Sequence, residues 1–531
     1  MIALLMSTKM IRPKRWLAAV ITTLLTASTA CADVKVPNIF GDHMVLQQGQ
    51  KNKVWGQAAA GEAITVSIDK QTQKTTAEAD GTWSVWLDPL AVGGPYELTI
   101  KGNNEIKITD ILVGEVWICS GQSNMQWSVK QSNDPDLEKL TAKFPKIRMI
   151  NFPQTGSQEV IWSHDKSTWK VCTPENVEGF SAVGYFFARQ LYQTLDVPIG
   201  MINNAWGGSA CEAWIRRDLL NANEKYKLLM DRWVDDEAKL PPLIDSLTAK
   251  IDSLSKGAEL NAEQKKELER LTEERKGMIG KLNGNSRPAN IYNGVLKSHL
   301  GYGIKGAIWY QGETNAERAY QYRDLFPLMI KSWRDEWKQG DFPFYWVQLA
   351  DYKDETPQPA ESSWAELREA QTMTMSRLKN TGQAVIIDIG EGKDIHPKNK
   401  VDVARRLARW ALARDYGISI PYRSPQIQSV EFKGNKMILT FNGLDGGWRP
   451  FDVKEPRGFS IAGEKTDFVW ATAKILPDNT IEVSSESITA PIAVRYAWAD
   501  NPDANMFNGA GLPLTPFRTD TRPGKTINNH K

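Results

Sequence analysis

Four short segments carry side chains that could do acyl-transfer chemistry. In EVWICSGQSNMQW an apolar run ends, Gly121 permits a tight turn, and Ser123 follows. A serine on a strand-to-helix turn projects its hydroxyl and leaves its own backbone N–H free for a developing oxyanion, although serine also caps helices in this position. INNAW runs into Gly207-Gly208-Ser209, where glycine lets a backbone N–H approach a ligand closely. AIWY runs into Gln311-Gly312-Glu313-Thr314-Asn315, whose amide side chains are neutral donors suited to an oxyanion. IIDIGEGK runs into Asp394-Ile395-His396-Pro397.

Histidine is the usual base for a serine because its pKa lies near neutrality. The chain has five: His43, His164, His299, His396 and His530. Of these, His396 alone follows a run that reads as a parallel strand. Ser123, His396 and an orienting acceptor are thus the expected catalytic group. Asp394 is the first candidate to orient the imidazole; Asp388, and a Ser–His dyad oriented by a backbone carbonyl, are the alternatives. Backbone N–H groups at Ser123 and in the Gly207-Gly208 turn, and the side-chain amides of Gln311 and Asn315, are candidate oxyanion donors. Trp127 and Trp206 flank these segments and could stack on a sugar ring, though core packing is the commoner fate of each tryptophan. Arg216, Arg217 and Arg449 are cationic candidates for an acidic sugar. No organic cofactor is implied, and five histidines without a CxxC pair offer little for a metal centre.

These residues need a scaffold that gathers strand ends. VWICS, RMINF, PIGMINNA, KGAIWYQ, FYWVQLA and AVIIDIG (384–390) are continuous apolar runs separated by helical stretches, including 182–195 and 401–417. That pattern predicts a parallel sheet covered on both faces, with the site beyond the carboxyl ends of its strands. The α/β region spans 109–420. Residues 220–288 interrupt it with a helical hairpin: Pro242 opens an apolar spacing of Leu243, Leu247, Ile251 and Leu254, and Asn261 with Gln264 forms a capping box for the second helix. Alternating runs and Gly-containing turns in 33–108 predict a small β-sandwich, and strands return in 421–520 as a second β-domain.

The first 32 residues read as a leader. MIRPKRW is basic, LAAVITTLLTAST is apolar or small, and Ala30-Cys31-Ala32 precedes Asp33. This is the order of a secretory signal. Cleavage after Ala32 would release an exported protein, periplasmic or secreted; cleavage before Cys31 would leave a lipid-anchored one. Ser28, where lipoprotein signals carry a larger aliphatic, favours the first. No later segment reaches the roughly 18 apolar residues of a membrane span. The balance of 65 basic against 63 acidic residues excludes a bulk-charge nucleic-acid binder. Cys119, Cys172 and Cys211 read as buried small hydrophobes.

Taken together, GEVWICSGQSNMQW, GGSACEAW, WYQGETNA and DIHPKNK resemble the sialate O-acetylesterase family of the Ser-Gly-Asn-His (SGNH) hydrolase superfamily. PNIFGDHMVLQQG and VRYAWADNPDANMFNGAGLPLTPFRTD resemble the flanking regions of that family, so the likeness spans most of the chain apart from the hairpin. It implies a three-layer SGNH-hydrolase domain flanked by β-domains. It also implies a serine esterase removing O-acetyl groups from sialic acid or another glycan, with Ser123 as nucleophile, His396 as base, and an oxyanion site that combines the N–H groups of Ser123 and Gly208 with the side-chain amide of Gln311, preferred, or Asn315. Two positions depart from the superfamily pattern: Thr314 stands where Gly-x-Asn carries Asn, and Lys393 where an Asp three residues before the His is usual. Acetylated xylan, xyloglucan or pectin would use the same machinery. A short-chain esterase acting on other esters, and a non-catalytic glycan-binding protein, are the rival classes.

Overall fold

The structure, a computed structural model, describes residues 33–256 and 260–530, so the expected leader lies outside the described residues. Seven strands form the central sheet: β1 (Glu105–Gly121), β2 (Phe144–Asn151), β3 (Lys170–Cys172), β4 (Ile199–Asn203), β5 (Gly306–Tyr310), β6 (Phe344–Val347) and β7 (Thr381–Ala384). Their order is β7-β6-β5-β1-β4-β2-β3. Every neighbouring pair is parallel except the short edge pair β2–β3. The chain adds β2 and β4 on one side of β1, then β5 to β7 on the other. The sheet therefore switches direction at β1, and in such sheets the ligand crevice lies at the carboxyl end of the switch strand.

Successive residues of each strand feed opposite faces. Trp117, Cys119, Ile308, Tyr310 and Tyr345 pack on one side with α2 (Ala182–Leu195) and α7 (Lys400–Arg414). Ile118, Trp309 and Trp346 pack on the other with α5 (Ala319–Trp337) and α6 (Ser363–Arg377). Trp117, Trp214, Trp309, Trp333 and Trp346 are fully buried. At about 25 cal/mol per Å2, each such indole contributes on the order of 4 kcal/mol, so much of the tryptophan excess is core.

The apolar run 384–390 is not the strand expected there. The strand is Thr381–Ala384, and Ile387 to Ile389 lie in a turn region. The run is apolar because it is pressed between two bodies. Ile386 joins the core beneath α7, whereas Val385 and Ile387 pack among Met437, Leu439 and Phe459 of the C-terminal strands. The hairpin also differs from expectation. Its first helix, α3, runs Lys227–Ser255 straight through Pro241 and Pro242, instead of starting at Pro242. Prolines remove two amide donors from the ladder, but Leu229, Met230 and Trp233 anchor the preceding turns in the core. The second helix, α4 (Ala262–Leu282), starts at the capping box of Asn261 and Gln264. Leu247, Ile251 and Leu271 form the seam between the two helices.

In 33–108, Asn52–Gln57 pairs with Thr82–Leu87, and Ala63–Ile68 pairs with Gln71–Thr76 and Gly93–Lys101. Gly93–Lys101 then pairs with the first half of β1. Residue 108 thus lies inside one continuous strand that serves both the N-terminal sheet and the central one. Two four-stranded sheets follow α7, sharing a core built from residues such as Leu439, Ile461, Ile481 and Tyr496. Cys119, Cys172 and Cys211 are free and buried, and burial raises all three thiol pKa values, Cys172 to about 12. No helix among the described residues is long and apolar enough to cross a membrane.

Candidate active site

Strand β1 ends where the neighbouring backbone leaves no room for a side chain. Gly121 has φ +130°, and a Cβ on it would lie 2.2 Å from the Tyr310 carbonyl oxygen of β5. The chain turns there, Gln122 N–H donates to that same carbonyl at 2.9 Å, and Ser123 opens the single-turn helix α1 (Ser123–Gln126). The Ser123 residue is partly exposed, so its hydroxyl can meet a substrate.

The base arrives from the loop after β7. Asp394 N–H donates to the Glu391 carbonyl at 2.8 Å, and His396 N–H donates to Asp394 Oδ1 at 2.9 Å. This tight loop sets the imidazole across from the serine, with His396 Nε2 2.8 Å from Ser123 Oγ. With the proton on Nδ1, Nε2 accepts from the serine hydroxyl, the geometry a general base needs. Asp394 Oδ1 stands 3.5 Å from Nδ1, an electrostatic contact longer than a hydrogen bond. The second acid candidate is engaged elsewhere: both Asp388 oxygens are held by Arg406 at 2.6 Å. Burial lowers the His396 pKa; Asp394 pulls it up and Lys400 pushes it further down. The ring therefore stays neutral, and able to accept a proton, below the pH at which an ordinary imidazole would charge.

The loop after β4 closes the other side. A Cβ on Gly207 would stand 3.4 Å from Ser123 Cβ, and Gly208 has φ +72°, a conformation that suits glycine. Gly207 N–H is taken by Gln126 Oε1 at 2.6 Å, and Gly208 carbonyl accepts from Thr314 Oγ1 at 3.1 Å. Asn285, just past the hairpin, donates to the Gly207 carbonyl, so the insertion steadies this loop. Among the described residues, the N–H groups of Ser123 and Gly208 donate to no protein acceptor.

The side-chain amides expected at the oxyanion are already engaged. Gln311 is fully buried. Its Nε2 donates to the Ser209 carbonyl at 3.1 Å and to Asn315 Oδ1 at 2.6 Å, and its Oε1 accepts from Tyr322 at 2.9 Å. Asn315 Oδ1 also accepts from Cys211 N–H, and its Nδ2 donates to Glu212, which is paired with Arg318. Both amides brace the glycine loop from behind. Trp127 stacks on the His396 ring at 4.7 Å and 11°, and Trp206 is half-buried against the core. Arg216 is held by Asp218 and Glu336, and Arg217 by Glu237. Arg449 is exposed beside a cleft of about 420 Å3 that it shares with Asp388, Arg406 and Phe451.

The chain as a whole is similar to known proteins. The family model for "Carbohydrate esterase, sialic acid-specific acetylesterase" matches residues 113–247 and 286–412, and helix α4 falls in the gap between them. Sialate O-acetylesterase of Mus musculus is 30% identical over 530 residues, covering 90% of this chain and 92% of its own. The chain belongs to this carbohydrate esterase family. The Homo sapiens sialate O-acetylesterase is 28% identical over 578 residues, covering 98% of this chain and 99% of its own. A solved carbohydrate acetylesterase from Xanthomonas citri superposes with a TM-score of 0.77 at 36% identity, covering 92% of this chain and all of that one. This carbohydrate esterase is a carboxylic ester hydrolase acting on O-acetylated carbohydrate.

Two residues of the esterase site escape a reading for nucleophile, base and donor. Asn124, next to Ser123, donates through Nδ2 to Glu313 Oε1 at 2.7 Å and to the Ile395 carbonyl at 2.9 Å. Lys400 donates to Asn124 Oδ1 at 2.5 Å. Each sits inside a quoted motif, but their roles depend on partners more than 180 residues away along the chain.

Proposed function

We propose that the chain is an SGNH hydrolase of three-layer α/β design that removes O-acetyl groups from carbohydrate, sialic acid first among them, through an acetyl-Ser123 intermediate. The observation that carries this is the Ser123 Oγ to His396 Nε2 contact of 2.8 Å, set at the switch point of the sheet beside two free backbone N–H groups. Ser123 Oγ bonds to the acetyl carbon as its proton passes to His396 Nε2, and the carbonyl electron pair moves onto oxygen. The N–H groups of Ser123 and Gly208 receive that oxyanion. The intermediate collapses, the carbon–oxygen bond to the sugar breaks, and His396 returns its proton to the sugar oxygen. Water then attacks the acetyl-serine as His396 takes a proton from it. Acetate leaves, and the proton ends on Ser123 Oγ. Asp394 supports the imidazolium across 3.5 Å.

The sialate assignment draws on the names of the mammalian relatives. The leader-like first 32 residues make this an exported enzyme, which would meet glycans outside the cytoplasm.

The test is acetate release from O-acetylated sialic acids, acetyl-xylan, acetyl-xyloglucan and 4-nitrophenyl acetate, by wild type and Ser123→Ala, with and without chelator. Serine-dependent, chelator-insensitive release from sialic acids supports the full reading. Release from a plant glycan alone keeps the mechanism and moves the substrate. Glycan release that persists in Ser123→Ala contradicts the mechanism.

A further inference from the structure

Lys400 is fully buried at the start of α7, yet its ammonium lies within ion-pair distance of no carboxylate among the described residues. Among the described residues its one hydrogen-bond acceptor is Asn124 Oδ1 at 2.5 Å. Two aromatic rings face it as well, Tyr310 with its centroid at 5.2 Å and Trp127 at 6.0 Å. Asn124 spends both Nδ2 hydrogens, on Glu313 Oε1 and on the Ile395 carbonyl. One amide thus joins the residue after the nucleophile to the residue before the base. A cation sits at its oxygen and an acid at its nitrogen. Such a chain polarises the amide and strengthens its hydrogen bonds in a low-dielectric interior. Glu313 Oε2 is buried with no hydrogen-bond partner among the described residues.

We propose that Lys400 and Glu313 form a positioning couple that fixes Ser123 against His396 through Asn124 and biases the imidazole electrostatically. This rests on the catalytic reading above. The mechanical arm runs from Lys400 through Asn124 to the Ile395 carbonyl. The electrostatic arm runs past Trp127, which faces Lys400 and stacks on His396. Burial presses the Lys400 ammonium toward neutrality and the Glu313 carboxylate toward protonation, each opposed by the other. The charged groups that act on Lys400 are Glu313 from the segment after β5, with Glu391 and Asp394 from the histidine loop. After burial and Asp394, Lys400 lowers the His396 pKa, and a change in the charge of the couple therefore shifts where His396 titrates.

The test compares Lys400→Met, Glu313→Gln and the double variant with wild type and Ser123→Ala. The readout is acetate release from 4-nitrophenyl acetate across pH, with circular dichroism and melting to confirm folding. Lys400→Met is expected to lower kcat about 10–100-fold with KM changed little, the scale of a small misplacement of reacting groups. Loss of a positive charge should move the acidic limb of kcat/KM to higher pH. Glu313→Gln should move that limb to lower pH, because the lysine charge is then unopposed. The double variant should return the limb toward wild type and lose less than the product of the single losses. A merely structural role would not give limb shifts of opposite sign. Folded Lys400→Met with wild-type kcat and an unmoved limb would overturn the proposal, as would shifts of the same sign in both single variants. If Lys400→Met does not fold, the direction of the Glu313→Gln limb decides. Activity surviving in Ser123→Ala would instead sink the catalytic reading itself.

Discussion

Arg495 and Lys400 are both cations withdrawn from water, and the protein satisfies them differently. Arg495, with its side chain 3% exposed, meets both oxygens of Asp520 at 2.8 and 3.1 Å and Glu361 at 2.8 Å. Nearby, fully buried Arg368 donates to the carbonyls of Leu349, Ala350, Ala499 and Asp500 at 2.6–2.9 Å, tying the loop after β6 to the C-terminal β-region. At this seam the buried guanidinium donors have good acceptors, as structural ion pairs require to offset desolvation. At the active site, among the described residues, Lys400 has one acceptor and Glu313 keeps an orphaned oxygen. Arg495 and Arg368 are satisfied in full where they hold the fold together. Incomplete pairing leaves a residual field, and here it falls on His396.

The largest way to break this contrast is Ser123→Ala, expected to lower kcat by about 10^4-fold or more on every acetyl ester with melting unchanged. Gly208→Ala comes next. Its φ of +72° and the Asn285 amide 3.2 Å from a new Cβ would displace the oxyanion N–H, for a loss of about 100-fold in kcat. Asp394→Asn should cost about 10–100-fold, short of the ~10^4 lost with a directly bonded triad acid, because the contact is long. The sign of its pH effect is fixed. Asp394 raises the His396 pKa, so its neutralisation should move the acidic limb of kcat/KM to lower pH, opposite to Lys400→Met. Arg495→Met should have the smallest effect on turnover. It strips buried Asp520 of its two-pronged partner, leaving Arg518 at 3.7 Å and the Arg522 N–H at 3.1 Å, so denaturant titration should lose up to about 3 kcal/mol while kcat of the folded fraction holds. A large kcat loss in folded Arg495→Met would erase the distinction between the two regions.

The meeting of Ser123 and His396 was legible in the sequence because Ser123 follows a strand end directly and histidines are few, although the strand before His396 ends already at Ala384. The parallel sheet was legible because doubly covered strands are apolar throughout, as FYWV of β6 is. The state of the amides was not. Gln311 reads as a free donor, but its Nε2 hydrogens go to Asn315 Oδ1 and to the Ser209 carbonyl, which lies 102 residues earlier. Trp127 reads as a sugar platform until His396 covers one face. The run 384–390 reads as a strand because a segment wedged between two cores is as apolar as one inside a sheet. In each case tertiary contacts of long sequence separation decide, and residue type alone does not carry them.

The most direct measurement of the central claim is peptide mass analysis of enzyme acid-quenched during turnover of 4-nitrophenyl acetate, with wild type and Ser123→Ala compared. An acetyl group on the peptide that contains Ser123, absent from the variant, is the predicted result. Acetyl carried on another residue, or steady turnover by Ser123→Ala without any adduct, would contradict it.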